Sequence, residues 1–159
     1  MQLETWVAPP GDVIPNHPRF AVLLYRGVDV SDAQGLFAAH GWGGSWVNGV
    51  FDFHHFHSTS HEALAVIAGS AVIELGGPQG KAFDVAAGDV IVLPAGAGHR
   101  RESASGDFRV VGAYPAGQED YDLLREADDA ARARIDALAP PSADPVGGEG
   151  VTRWTQTKS

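Results

Sequence analysis

Gly49-Val50-Phe51-Asp52-Phe53-His54-His55-Phe56-His57-Ser58-Thr59-Ser60-His61-Glu62, continued by the apolar run Ala63 to Ala68 and closed by Gly69, decides the fold. Its counterpart is Gly88-Asp89-Val90-Ile91-Val92-Leu93-Pro94-Ala95-Gly96-Ala97-Gly98-His99. Val50 to His57 is rich in Val, Phe and His and lacks Pro, so it reads as a β-strand that continues from Trp46. Alternation along a strand turns His55 and His57 to one face and His54 and Phe56 to the other. Ser58-Thr59-Ser60 is a short polar turn. The run after Glu62 then pairs back antiparallel and sets the carboxylate against the two imidazoles within one hairpin. His99 comes from a distant strand through the loop Pro94 to Gly98, where Pro fixes one dihedral and two Gly permit a tight turn.

His55, His57, Glu62 and His99 together form a metal-ligand set. Three neutral imidazoles and a carboxylate leave a divalent ion with a net charge of about +1 and, in an octahedral field, about two open positions. Such a centre can take an anionic substrate, hydroxide or dioxygen. Iron, manganese, nickel and zinc all accept these donors. His61 is an alternative fourth ligand; Glu62 is preferred because a carboxylate balances charge.

The spacing Gly-x5-His-x-His-x4-Glu-x6-Gly over 49–69, with Gly88, Pro94-Ala95-Gly96 and His99, resembles the two motifs of the cupin superfamily. Ser103 stands where those motifs carry Asn. Ile14-Pro15-Asn16, Val22 to Arg26, Trp46 to Gly49, His54 to Glu62, Pro94 to His99 and the tail from Asp144 to Trp154 are similar to the small YjlB-like single-domain cupins. The resemblance implies a mainly β fold, an antiparallel double-stranded β-helix or jelly-roll barrel, with one divalent ion on His55, His57, Glu62 and His99. It implies no particular reaction. It also suggests a homodimer, the common symmetric oligomer, in which the strand Phe20 to Tyr25 joins a sheet.

Composition agrees. The chain has 159 residues, one domain's worth, with a barrel core over about 44–115 and an irregular tail over 140–159. The absence of Cys excludes disulfides and thiolate metal sites, and fits a reducing compartment. The N-terminus shows no basic, apolar leader, so a cytoplasmic protein is expected. A net charge of −9 argues against nucleic acid, and no apolar run has the length of a membrane span.

Further strands are expected at Phe20 to Tyr25, Ala63 to Ala68, Ala71 to Leu75, Ala82 to Val85, Val90 to Leu93 and Phe108 to Tyr114. Ser31-Asp32-Ala33-Gln34 has the form of a capping box, which starts a short helix from Asp32 to His40. Leu124, Ala127, Ala131, Ile135 and Leu138 recur at helical spacing, predicting an outer helix over 119–138 that Pro140 and Pro141 end.

Phe51 and Phe53 share the histidine face and are better pocket residues than Phe56. Tyr114, Arg100, Arg101 and Lys81 are candidate substrate contacts, without an assigned catalytic role. Ser58 and Ser60 fit turn chemistry better than nucleophilic chemistry. Two functions follow. One is a metal-dependent enzyme (dioxygenase, isomerase or lyase type) on a small organic acid or sugar-like substrate. The other is a non-catalytic metal or small-molecule binding module. An open or a plugged barrel mouth distinguishes them.

Overall fold

In the computed structural model, which describes residues 1–155, nine strands form two antiparallel sheets that face each other. The strands are β1 (Gln2–Trp6), β2 (Val22–Arg26), β3 (Trp42–Asn48), β4 (Glu62–Ala68), β5 (Ser70–Leu75), β6 (Lys81–Ala86), β7 (Val90–Leu93), β8 (His99–Ala104) and β9 (Arg109–Pro115). The larger sheet has the order β1-β2-β7-β4-β9-β3 and the smaller β6-β5-β8. This is the mainly β jelly-roll barrel that the motifs imply. Three helices lie outside it: α1 (Ala33–Ala39), α2 (Asp129–Ala137) and α3 (Gly150–Thr155). Among the described residues, no helix is long and apolar enough to cross a membrane.

The apolar runs have a simple origin. One face of the larger sheet packs onto the smaller, through Val22, Leu24, Leu64, Val66, Ile91, Leu93 and Val110 against Ile73, Leu75 and Val85. Its other face carries Leu23, Tyr25, Ala63, Ala65, Val90, Val92, Val111 and Ala113, covered by Phe37 of α1 and Val151 and Trp154 of α3. Both faces of β4 and β7 are therefore buried, and their sequences run apolar without alternation. The smaller sheet has a wet outer face, and β5 alternates accordingly between buried and less buried positions.

Four stretches differ from the sequence reading. Residues 50–57 form no strand. His55 pairs with His99, through N–H to O distances of 3.2 and 3.0 Å, whereas Phe56 pairs with Leu124 at 2.9 Å both ways. A segment that changes partner at each residue cannot extend a ladder. For the same reason the expected hairpin is absent: β4 pairs with β7 and β9. Glu62 meets the histidines across the barrel.

The outer helix covers only Asp129–Ala137, with Asp128 as its N-cap accepting from the Ala131 N–H. Residues 119–128 are instead a strap across the barrel mouth. Leu124 and Ala127 keep their apolar contacts, with Phe56 and Ile135 in one cluster, but from backbone that bonds to Phe56 and Val13. The tail contains α3. Asp144 organises it by accepting from the Tyr25 hydroxyl and from the N–H groups of Val146, Gly148 and Val151. Finally, β2 is flanked on both sides, by β1 and β7, so it offers no free edge to a second copy; the outer strands of that sheet are β1 and β3.

Candidate metal centre

His55 and His57 hang from the irregular segment after β3, and His99 opens β8. Their fractional exposures are 3%, 5% and 2%, and one ring nitrogen of each lies within 4.8 Å of the others. The backbone sets their tautomers. Nδ1 of His55 meets the Phe53 carbonyl at 2.9 Å, Nδ1 of His57 the Asp122 carbonyl at 2.5 Å, and Nδ1 of His99 the Ala97 carbonyl at 3.1 Å. A carbonyl oxygen can only accept, so each Nδ1 carries the proton and each Nε2 keeps its lone pair.

Glu62, the first residue of β4, is buried beside them. Its Oε1 lies 3.4 Å from His57 Nε2 and 3.2 Å from His99 Nε2. Lone pairs and a carboxylate oxygen that close repel one another unless a cation stands among them, and either a proton or a metal ion can serve. The other oxygen, Oε2, accepts the Tyr114 hydroxyl proton at 2.6 Å, and that hydroxyl accepts the Trp46 indole N–H at 2.8 Å. Trp46 reaches Tyr114 because its register partner is Gly112, where any Cβ would stand 2.3 Å from the indole ring. Tyr121 completes the wall, stacked on Tyr114 with centroids 4.0 Å apart and edge-on to His57 at 5.0 Å.

The electrostatics follow from burial and from this pairing. Burial, and then the neighbouring His99, lower the His55 imidazole to about 3. Burial would lower His57 as well, but Glu62 and the Asp122 carbonyl outweigh it and hold His57 above its ordinary value. Burial would raise Glu62, and His57 and His99 more than reverse that, keeping it ionised. The protein alone can thus trap a proton between His57 and Glu62. A metal ion would take that proton's place, as ligands must be deprotonated to coordinate. The three imidazoles are able to hold such an ion.

A cavity of about 370 Å³ opens directly over this cluster. Trp46, Val47, Val50, Phe51, Leu64 and Leu123 supply its apolar wall, and Asn48, Arg101, Tyr114 and Tyr121 its polar groups. Phe51 is part of the lining, and Phe53 stands behind it, stacked at 4.9 Å with the Arg125 guanidinium 4.2 Å from its ring centre. Phe56 is wholly buried in the core under α2.

The other sequence candidates sit elsewhere. His61 has both nitrogens committed: Nδ1 accepts from the Ala95 N–H and the Nε2 proton goes to the Ala139 carbonyl, each at 2.9 Å. It therefore has no lone pair to offer a metal. His54 turns away toward Glu74. Arg100 pairs with Glu74 also, and Lys81 lies over the rings of Trp6 and Phe83. Ser58 and Ser60 are structural. Ser58 donates to the Asp122 carboxylate and accepts from Arg134, while Ser60 donates to the His61 carbonyl. Asp122 and Tyr121 carried no signal in the sequence reading, because their partners lie far away in the chain and their segment reads as helix.

The sequence itself has known relatives. The cupin domain family matches residues 46–112. The uncharacterised protein YjlB of Bacillus subtilis is 39% identical over 154 residues, covering 93% of this chain and 92% of that one. Among solved structures, an uncharacterised conserved protein from Klebsiella pneumoniae with a double-stranded β-helix domain aligns with a TM-score of 0.40 at 16% identity, over 76% of this chain and 92% of that one. An acireductone dioxygenase from Bacillus anthracis, solved with a cadmium ion in its active centre, aligns with a TM-score of 0.37 at 23% identity, over 54% of this chain and 57% of that one.

Proposed function

The chain belongs to the cupin superfamily, with the Bacillus subtilis YjlB protein as a relative, and we propose that it is a metal-dependent enzyme for a small organic substrate. The reaction falls in the oxygenase, isomerase or lyase type, and the substrate is a small organic acid or a sugar-like molecule. His55, His57 and His99 hold the ion through Nε2, with Glu62 as the fourth ligand through Oε1. The observation that carries this reading is the combination of Nδ1-locked imidazoles with an open cavity above them. A purely structural metal site closes its coordination shell, whereas a catalytic one keeps room for substrate.

Bound there, a divalent ion supplies Lewis-acid polarisation of a substrate oxygen. The chain's own residues do the rest. The Phe53, Asp122 and Ala97 carbonyls stop the three rings from turning, so the ligand atoms are oriented before any ion arrives. Tyr114 occupies Glu62 Oε2 and leaves only Oε1 facing the imidazoles. Leu64, Trp46 and Tyr121 keep apolar surface around the cluster, lowering the local dielectric and strengthening the interactions there. The Tyr114 phenol is held protonated, first by burial and then by the Glu62 charge, so it serves as a hydrogen-bond donor.

The test is elemental analysis of tag-free protein purified without chelator, beside a Glu62→Ala/His99→Ala double variant. Near-stoichiometric iron, manganese, nickel or zinc in the wild type, lost in the variant, is the expected result. Wild-type protein that stays metal-free after reconstitution with each of these ions would remove the reading.

A further inference from the structure

We infer that the cavity over the imidazole cluster is shaped for an amphipathic monoanion: a small carboxylate carrying an apolar body about the size of one ring. The inference rests on the metal-centre reading, since it names the substrate class of that same site, and it sets aside sugars and compact dianions.

The rim of the cavity gives the first reason. Six large apolar side chains of the described residues are exposed, namely Met1, Val7, Val13, Val47, Phe51 and Leu123. The first three belong to the N-terminal segment. The other three, 51%, 54% and 39% exposed, all line this one cavity. Phe53 extends the patch by stacking on Phe51. Scattered exposed apolar residues mean little, but a contiguous set at the mouth of a polar-floored cavity is a surface that a ligand covers. Oxalate or a similar dianion would sit on the floor and leave this rim in water.

The polar inventory gives the second reason. A sugar requires several free donors and acceptors, because each buried hydroxyl left unpaired is costly. Beyond the four coordinating side chains, most polar atoms of the lining are already spent. The Trp46 N–H is given to Tyr114, the Tyr114 proton goes to Glu62, and Asn48 Oδ1 accepts from the Gly49 N–H at 2.8 Å. The guanidinium of Arg101 and the amide NH₂ of Asn48 are what the wall offers a ligand.

Arg101 gives the third. Among the described residues it is the only Lys or Arg in the lining. Its acidic neighbour Asp52 lies 3.9 Å away with a side chain 72% exposed, a pair too loose and too wet to consume the guanidinium. The planar fork is free for a carboxylate. The Arg101 backbone N–H bonds to the Phe51 carbonyl at 2.9 Å, which keeps the cation beside the aromatic wall. Charge anchor and apolar surface are therefore adjacent, as an amphipathic ligand needs.

Calorimetric titration of the purified protein with benzoate, acetate, benzyl alcohol, oxalate and glucose tests this. Benzoate should bind about tenfold or more tightly than acetate, which lacks the ring, and than benzyl alcohol, which lacks the charge. Arg101→Gln should reduce benzoate to the level of benzyl alcohol. Phe51→Ser/Leu123→Ser should reduce it to the level of acetate. Oxalate or acetate matching benzoate, or glucose exceeding it, overturns the inference. Metal content measured on the same samples separates the two readings. A protein without metal that keeps the benzoate preference refutes the metal centre alone, and a loaded protein indifferent to the ring refutes this inference alone.

Discussion

Two groups of buried histidines stand on opposite sides of β4, and they differ in one hydrogen bond. His55, His57 and His99 point Nδ1 at carbonyl oxygens, and so turn Nε2 toward one another inside the barrel. His17 and His61 point Nδ1 at backbone N–H groups, of Arg19 and Phe20 for the first and of Ala95 for the second. Their lone pairs are consumed, and they pack with Phe20 and Trp154 on the outer face. All five rings are at most 5% exposed, so burial does not distinguish them. The backbone group opposite Nδ1 does: a carbonyl leaves Nε2 as the nitrogen able to hold a metal ion, and an amide consumes the Nδ1 lone pair and puts the proton on Nε2.

The largest expected effect comes from exchanging the two roles under mutation. His99→Ala should weaken metal binding by about 100-fold or more, as read by chelator competition. His61→Ala should leave metal per folded chain unchanged and cost about 2–4 kcal/mol in urea unfolding, because it opens a cavity and orphans the Ala95 N–H. Metal loss in the His61 variant would break the division.

A smaller effect sharpens the metal side. Tyr114→Phe removes the donor to Glu62 Oε2 and should lower metal affinity about tenfold while keeping the stoichiometry. X-ray absorption of the loaded variant reads the cause directly, as the carboxylate is freed to bind through both oxygens; an unchanged spectrum and affinity would show Tyr114 to be mere wall.

The smallest effect concerns acid. Burial first, and then the charges of His61 and Arg19, lower His17 from 6.5 to about 3. The unfolded chain therefore takes up a proton that the folded chain refuses. Stability from this group is complete above pH 6.5 and is lost progressively as pH falls toward about 3. Urea midpoints between pH 8 and 4 should fall with acid in the wild type and fall less in His17→Gln, which keeps an acceptor for the Phe20 N–H. Equal slopes would mean that His17 is not held neutral by the fold.

The sequence is legible where structure is local or where burial is uniform. β4 and β7 read plainly because both of their faces are covered, and α1 because a polar cap marks its start, although that cap is Asp32, through the Gly35 N–H, and not the Ser31 of the capping box. The spacing of His55, His57, Glu62 and His99 was likewise readable, and the four side chains lie side by side. Its physical reason was only half readable. Gly69 has φ +72°, and a Cβ there would stand 2.8 Å from the Phe108 Cα, but Gly49 faces open space. Residues 50–57 misled because their pairing partners, His99 and Leu124, come from two different parts of the chain. The strap misled because Leu124 and Ala127 fill the same core as α2 at the same spacing, without being helical. Alternation alone still turned His55 and His57 the right way, since even a single bridge keeps the chain extended.

The Asp122 carbonyl that holds His57 lies outside the 46–112 span that defines the domain by similarity, and so does the Ala139 carbonyl that holds His61. The Asp122 carboxylate also fastens the turn after His57 through the Ser58 and Thr59 N–H groups. The unit that could be transplanted or redesigned as a working centre is therefore larger than the recognisable domain. A protein trimmed after β9 would keep His55, His57, Glu62 and His99, yet it would give up the carbonyl that holds the His57 ring.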